Sequence, residues 1–580
     1  MKEKYKFLEN SKRGGDGDLI SRPWLELYPD EIPWNLNYTQ EPLQQFLIKT
    51  AQTFPDKKAI HFLGSEMTYS QLYDESVRLA SFLQGIGIVK GDRVAIMLPN
   101  TPQSVISYYA ILMAGGVVVQ TNPLYMEREL EYQMRDSGAK AIITLDILYP
   151  RVVKIMSKTD LKDIIVTAIK DYLPFPKNLI YPFIQKKQTG MVVHLKHEGN
   201  THLFTTILKQ ESRNLIQYEF DFKEDIALLQ YTGGTTGFPK GVMLTHKNLV
   251  SNATMCQAWL YKCKPGEEKI LGLLPFFHVY GMTAVVILAV MQGHEIIILP
   301  KFDVKITLKT IQKQRPTLFP GAPTIYIGLL NHPDLLRYDL SSIHSCLSGS
   351  APLPIEVQQR FEDVTGGKLV EGYGLSESSP VTHSNFLWDL PRYKGSIGVP
   401  WPDTDAVILS LETGEPLPSG EVGEIAVKGP QVMKGYWNRP EETAQVLKDG
   451  WLLTGDLGYM DKQGNFYVVD RKKDMIIAGG FNIYPREIEE VFYEHPAIQE
   501  IVAVGIPDPY RGETVKVYIV LKEDFSVTEE ELNEFARKNL AAFKVPRVYE
   551  FRKELPKTAV GKILRRALVE EEKRKSKDDL

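Results

Sequence analysis

Cysteine is scarce in this chain: Cys256, Cys263 and Cys346 are all there are in 580 residues, and none has a C-x-x-C neighbour. That excludes a disulfide framework and suits a reducing cytosol. All three read as buried structural thiols. A dominant charge is missing as well. The formal net charge is −4, which leaves nucleic-acid binding without an electrostatic basis. Long apolar runs are also absent. Residues 105–119 are broken by Gly115-Gly116, and residues 281–299 by Gln292-Gly293-His294-Glu295, whereas a spanning helix needs ~20 continuous apolar residues. Each stretch reads as a buried helix followed by a strand. The opening of the chain is charged and lacks the apolar segment of a signal peptide, so a cytoplasmic protein is expected.

What the chain does have is one concentrated motif, Leu229-Gln230-Tyr231-Thr232-Gly233-Gly234-Thr235-Thr236-Gly237-Phe238-Pro239-Lys240-Gly241. A strand-like apolar run, 226–229, leads in, and a second run, 242–244, leads out. Glycine lets backbone approach a ligand closely, and successive amide N–H groups in such a turn form an anion-binding concavity. Threonine hydroxyls add donors, and Lys240 adds a mobile positive charge. This is not a Walker loop, in which the lysine directly follows a glycine at the start of a helix. Here Phe238-Pro239 intervene and strand-like residues follow. The plain alternative is a glycine-rich hairpin turn, but the density of small and polar residues before Pro239-Lys240-Gly241 favours a phosphate cradle.

Residues 1–35 read as a polar arm anchored by Trp24, Leu25, Tyr28 and Trp34. Beyond it, helical patterns at 43–54, 68–85, 104–114 and 127–137 alternate with strands at 94–98, 117–120 and 141–145. Such alternation indicates an α/β fold with a parallel sheet covered by helices. Residues 146–220 break the rhythm and read as an irregular insertion. Within it, 171–187 mixes aromatics, prolines and lysines, a composition that also suits peripheral contact with a membrane surface. A helix at 247–260, with Thr245 as its N-cap, follows the cradle. After residue 474, short elements at 498–504, 515–521, 529–540 and 548–551 describe a small α+β domain.

Several shorter motifs carry chemistry. His278, in Phe276-Phe277-His278-Val279-Tyr280-Gly281-Met282, stands at the end of a strand-like run, either as a satisfied core residue or as a pocket residue. Ser348-Gly349-Ser350-Ala351 is a small-residue loop after a strand. In Glu371-Gly372-Tyr373-Gly374-Leu375-Ser376-Glu377 the glycines admit a flat ligand, Tyr373 offers a ring, and Glu377 is a carboxylate for a hard cation; the alternative is a polar turn. Thr454-Gly455-Asp456 ends a strand-like run, where a carboxylate commonly meets ribose hydroxyls. Asp470-Arg471-Lys472-Lys473-Asp474 is a charge run at a change of character. Pro556-Lys557-Thr558-Ala559-Val560-Gly561-Lys562 closes the series, with a glycine that frees Lys562 to reach outward.

In this order the motifs 231–241, 373–377, 454–456, 470–474 and 556–562 resemble those of the adenylate-forming enzymes, the superfamily of acyl-CoA synthetases, peptide-synthetase adenylation domains and beetle luciferases. The likeness spans roughly 36–570. Trp24-Leu25-Glu26-Leu27-Tyr28-Pro29, the 146–220 segment and Asp470-Arg471-Lys472-Lys473-Asp474-Met475-Ile476 resemble its bacterial long-chain fatty-acid–CoA ligases in particular. The resemblance implies two αβ subdomains plus a β-rich subdomain over 36–470, a hinge at 471–474, and a mobile C-terminal domain at 475–580. It implies ATP, Mg2+ and coenzyme A, and a fatty acid joined to AMP and then to the thiol. Lys562, Glu377, Thr232 and His278 are the expected catalytic residues, with Glu377 also the metal ligand. Thr232, Gly233, Gly234, Thr235, Thr236, Gly237 and Lys240 would hold phosphates. Gly349, Ser350, Ala351, Glu371, Gly372, Tyr373, Gly374 and Ser376 would border the adenine, and Asp456 and Arg471 the ribose. Lys473 would be the hinge, Gly479, Gly480 and Phe481 the coenzyme A side, and Val279, Tyr280, Gly281, Met282, Gly321 and Thr324 the acyl tunnel.

Two competing readings remain at this point. One is an enzyme that passes acyl-AMP to a carrier protein, although no carrier domain follows residue 580. The other is a fatty-acid-binding scaffold without catalysis, which the intact Lys562, Glu377 and cradle disfavour. Chain length and the choice between monomer and homodimer are not written in the residue pattern.

Overall fold

The computed structural model describes residues 21–189, 199–210, 213–232, 239–388, 393–478, 481–508, 511–523, 525–558 and 563–578. The chain forms two compact units. The larger comprises Trp24–Asp405 and Lys428–Leu452, and the smaller is built mainly from Ala406–Val427 and Leu453–Leu580.

The larger unit is laid on an eight-stranded sheet. Its order is Gly435–Tyr436, Lys240–Thr245, Ile226–Thr232, Val117–Gln120, Arg93–Met97, Ala141–Leu145, Asp163–Thr167 and Thr201–Leu203. The first two pairings are antiparallel and the rest parallel. Val117–Gln120 and Ala141–Leu145 are buried at every position, as expected of strands covered on both faces. The covering helices start where their caps say. Thr68 closes a capping box with Gln71 ahead of Tyr69–Gly85, and Thr245 does the same with Asn248 ahead of His246–Trp259.

One expectation fails here. Residues 146–220 are not an irregular insertion, because Asp163–Thr167 and Thr201–Leu203 extend the same parallel sheet. Proline and aromatic residues around them masked a short apolar run. The described part of the N-terminal arm, by contrast, is anchored. Trp24 is fully buried, and Tyr28 meets Trp34, Trp259 and Phe386 edge-on, so its expected anchors hold it.

A second layer of this unit has strands Lys269–Gly272, Glu295–Ile298, Lys58–Phe62 and Ser65–Thr68 in that order, beside Ser345–Ser348, Lys368–Gly374, Val381–Ser384 and Val399–Pro400. Leu318 bridges the two sets through Ile270 and Ser345. Their shared core includes Leu271, Ile297, Phe319, Tyr326, Cys346 and Leu369. Cys256 and Cys346 are buried as expected, whereas Cys263 is only half-buried. It lies in the turn after a helix, where its thiol meets Glu268, and burial together with that carboxylate pushes it up to about 12.

In the smaller unit, Asp405–Leu409, Gly423–Lys428, Trp451–Met460 and Phe466–Arg471 belong to one β-sheet. A further sheet runs Phe481–Ile483, Ile476–Ala478, Gly512–Leu521, Ile498–Asp508, with Val548–Phe551 beside Gly512–Leu521. Ile488, Phe492, Ile501, Ile519 and Leu532 fill one core there. Leu568 of the helix Arg565–Asp578 packs with Tyr518 in another.

Candidate active site

The two apolar runs that bracket the glycine-rich stretch form an antiparallel hairpin whose last register pair is Thr232 and Lys240. Gly233, Gly234, Thr235, Thr236, Gly237 and Phe238 lie outside the described residues. The hairpin is tied at two points. Tyr231 Oη donates to Asp136 Oδ2 at 2.7 Å, and Gln230 Nε2 donates to the Phe277 carbonyl at 3.1 Å. The second bond puts His278 one residue from the strand that carries Thr232.

His278 does not end a strand, as its sequence context implied. The strand stops at Gly272, and Asn100 takes over as partner: its Nδ2 donates to the carbonyls of Gly272 and Leu274, and its Oδ1 accepts from Phe276 N. His278 is instead the N-cap of Val279–Gly281, its Nδ1 accepting from Tyr280 N at 3.3 Å. In the neutral ring that leaves Nε2 as the donor.

Three separate motifs meet beyond it. Tyr280 Oη donates to the Leu347 carbonyl at 2.6 Å, and Gly349 N donates to the Gly321 carbonyl at 3.0 Å. A Cβ on Gly349 would stand 2.8 Å from the Tyr280 ring, so glycine there is a packing requirement. Ser350 holds φ at +72°, a left-handed conformation that costs a non-glycine residue energy and clusters at ligand sites. Glu371, paired with Ser348 in parallel register, accepts from Leu353 N at 3.1 Å. Its side chain therefore braces the 349–353 loop. Leu274, Tyr280 and Ala284, with Ile325 and Leu347 against them, make an apolar cluster at this place. Val279 and Met282 are buried completely, and Thr324 is half-buried at the start of Pro323–Leu330.

Tyr373 meets His383 edge-on at 5.8 Å, between Gly372 and Gly374 on Lys368–Gly374. Ser376 and Glu377 follow in a tight turn. Glu377 Oε1 accepts from Tyr436 Oη at 2.8 Å, and its carbonyl accepts from Met433 N. Lys240 Nζ lies 5.1 Å over the Tyr436 ring and is ion-paired with Glu442. Burial and the Glu377 carboxylate hold the Tyr436 phenol well above its usual range. Tyr436 thus joins Lys240 to Glu377, and sequence reasoning missed it. The signal was there in Gly435-Tyr436-Trp437-Asn438-Arg439-Pro440-Glu441, a ring flanked by turn residues, but nothing in one sequence says that Tyr436 pairs beside Val242.

In the smaller unit, Asp456 lies within Trp451–Met460 rather than after a strand, because the run continues through Gly455. It is buried and faces Arg471 across the ladder, with Nε to Oδ1 at 3.2 Å. Lys472 reaches Glu424 at 2.9 Å, and its amide donates to the Gly455 carbonyl. Burial, then the neighbouring Arg471, draw the Lys473 ammonium down. Arg565 pairs with Glu489 at 2.6 Å, Asp474 at 3.2 Å and Asp470 at 3.4 Å. Ala478 pairs with Phe481; Gly479, Gly480 and Lys562 lie outside the described residues.

Residues 47–437 match the AMP-binding enzyme family, and 487–562 match the AMP-binding enzyme C-terminal domain. The chain belongs to the AMP-binding enzyme family. Its C-terminal match ends on Lys562, and the main match takes in Tyr436. This AMP-binding enzyme is 61% identical over 95% of its length, and 98% of the relative's, to a long-chain-fatty-acid–CoA ligase of Bacillus subtilis. It is 40% identical, with the same coverages, to one of Escherichia coli. Among solved structures it resembles the anthranilate–CoA ligase AuaEII in complex with anthranoyl-AMP, with a TM-score of 0.82 at 27% identity over 93% of this chain and 98% of that one. ATP-bound MatB of Rhodopseudomonas palustris gives 0.81 at 29% identity over 92% and 99%.

Proposed function

We propose that this AMP-binding enzyme is a long-chain-fatty-acid–CoA ligase. The observation that carries the reading is the near-complete coverage at 61% identity of a relative with that name. In the first half-reaction a fatty-acid carboxylate oxygen attacks the α-phosphorus of ATP, forming acyl-AMP and expelling pyrophosphate. In the second, the sulfur of coenzyme A attacks the acyl carbonyl, forming the thioester and expelling AMP, while the thiol proton passes to solvent.

The first step brings two anions together, so the residues around them must offset repulsion. Lys240, released from Glu442, and the amides and hydroxyls of Thr232, Gly233, Gly234, Thr235, Thr236 and Gly237 would hold the phosphates where the leaving charge grows. Preorganised donors of this kind are worth ~3 kcal/mol each in typical cases. Tyr373 would stack on adenine between Gly372 and Gly374, beside Gly349, Ser350, Ala351 and the loop braced by Glu371. Asp456, already oriented by Arg471, would take the ribose hydroxyls. His278 would stand near the acyl carbonyl, and Lys562 would bridge the carboxylate and the nucleotide.

A single carboxylate acting together with phosphate oxygens and water is a usual setting for Mg2+, and Glu377 fits it, with its carboxylate aimed by Tyr436. When bound there, Mg2+ would supply charge neutralisation on the polyphosphate. For the second step we place a hinge at 471–474, centred on Lys473, between an adenylation domain at 36–470 and a C-terminal domain at 475–580. Gly479, Gly480 and Phe481 would face coenzyme A. The acyl chain would run past Val279, Tyr280, Gly281, Met282, Gly321 and Thr324, each buried CH₂ adding ~0.8 kcal/mol. Peripheral contact with a membrane, where such acids dissolve, belongs to the same reading.

Acid-dependent ATP–pyrophosphate exchange over a chain-length series tests it. Exchange that rises with chain length into the long-chain range is expected; exchange confined to short or aromatic acids would refute the substrate class. Accumulation of acyl-AMP that added coenzyme A fails to discharge would favour transfer to a carrier protein instead.

A further inference from the structure

The helix Lys177–Thr189 is amphipathic the wrong way round. Lys177, Tyr181 and Gln185, spaced i, i+4, i+8, share one face. Lys177 Nζ donates to the Leu63 carbonyl at 2.7 Å, Gln185 Nε2 donates to Asp146 Oδ2 at 3.1 Å, and Tyr181 is half-buried. The polar face is therefore the one pinned to the larger unit. The opposite face carries Leu179, Ile180, Phe183 and Ile184, exposed by 61%, 51%, 75% and 44%, and Phe175, which leads into the helix, is 78% exposed. A surface helix of a soluble domain normally turns its apolar stripe inward, and contiguous apolar patches on a protein exterior mark interaction sites.

We propose that this face docks on an anionic lipid bilayer. Lys186 and Lys187 stand exposed at the C-terminal end of the apolar face, an arrangement that places rings and branched side chains among acyl chains while cations meet anionic headgroups. The chain as a whole carries a net charge of −4, so attraction to an anionic surface must be local, and this helix supplies it. No helix among the described residues is long and apolar enough to cross a membrane, so the helix lies in the plane of the interface. The surface deepens the ligase reading on which it rests: a long-chain acid is held in the bilayer, and an enzyme seated there meets it without crossing water.

The test is sedimentation of the full chain with vesicles made of equal parts phosphatidylcholine and phosphatidylglycerol, without substrates. The wild type is expected to bind. Leu179→Gln together with Phe183→Gln should lower the partition constant at least ~tenfold. Lys186→Gln with Lys187→Gln should lower it ~tenfold on these vesicles, the loss disappearing in high salt. An environment-sensitive fluorophore on Phe183→Cys should shift to the blue when vesicles are added. Both double variants should keep wild-type adenylation of a short soluble acid if the ligase reading is right. Loss of that activity in every protein would count against the ligase, while the vesicle result is read separately. A wild type that does not bind, a Leu179→Gln/Phe183→Gln variant that binds equally, or an unshifted fluorophore overturns the proposal. So does a wild-type dimer that this variant splits, since a second copy would then cover the face.

Discussion

The two units hold their candidate functional residues by different forces. In the larger unit Tyr280 packs on Gly349, Gly349 is tied to Gly321, and Glu371 braces the following loop, all through close packing and short local hydrogen bonds. In the smaller unit Asp456, Arg471, Lys472, Asp470 and Asp474 are held by ion pairs. Arg471 and Lys472 are each 43% exposed, and pairs this wet are worth roughly 1 kcal/mol or less. Packed contacts have one good arrangement, whereas wet ion pairs exchange at little cost. The wet Arg471 and Lys472 pairs agree with the hinge proposed at 471–474, whereas the Arg565–Asp470 pair beside them is buried and fixed.

The sharpest break of that comparison is Lys562→Ala. If the lysine serves only the first step, adenylation should fall by at least ~10², while thioester formation from supplied acyl-AMP continues. Lys473→Pro should do the reverse, leaving pyrophosphate release near wild type and slowing thioester formation ~10²-fold. Equal loss of both steps would deny the hinge. Tyr436→Phe removes the hydroxyl that aims Glu377, and the Mg2+ concentration for half-maximal adenylation should rise ~tenfold. An unchanged requirement would make Tyr436 a packing residue only.

The smallest effect is on stability against pH, where three buried histidines of the larger unit and Asp470 of the smaller act with opposite sign. Burial lowers His246 and His294 to about 4 and His383 to about 3. Between 6.5 and those values the unfolded chain binds more protons, so these histidines stabilise the larger unit above 6.5 and that contribution is lost as pH falls. Asp470 in the smaller unit is pushed up to about 6, by burial acting against Arg565. There the native state keeps a proton that the unfolded chain gives up, so stability is lost as pH rises from 3.8 to 6, by ~1–3 kcal/mol. Asp470→Asn should flatten that second slope in unfolding followed across pH. A slope unchanged by the substitution would remove Asp470 from the account.

Much of this was legible in the residues because it is local. Apolar runs on either side of the glycines marked both hairpin strands, and Thr245 announced its helix. The loop at 348–351 was legible as a run of small residues, but not that Tyr280 packs on Gly349. Partnership across the chain was hidden. Tyr436 gains its role only by lying beside Val242, 194 positions away by number. His278 looked strand-terminal because Asn100, which replaces a strand partner, is remote in sequence. Asp163–Thr167 was obscured by neighbours of turn-like composition. The inverted helix at 177–189 showed its odd composition, but its orientation depends on contacts with Leu63 and Asp146.

The central claim is that a fatty-acid carboxylate attacks the α-phosphorus of ATP and that coenzyme A then releases AMP. Fatty acid carrying heavy oxygen in its carboxylate, turned over with ATP and coenzyme A, tests it directly by mass spectrometry of the products. The account predicts one heavy oxygen in each AMP and the other in the thioester. AMP free of label, or label recovered in pyrophosphate, would contradict it.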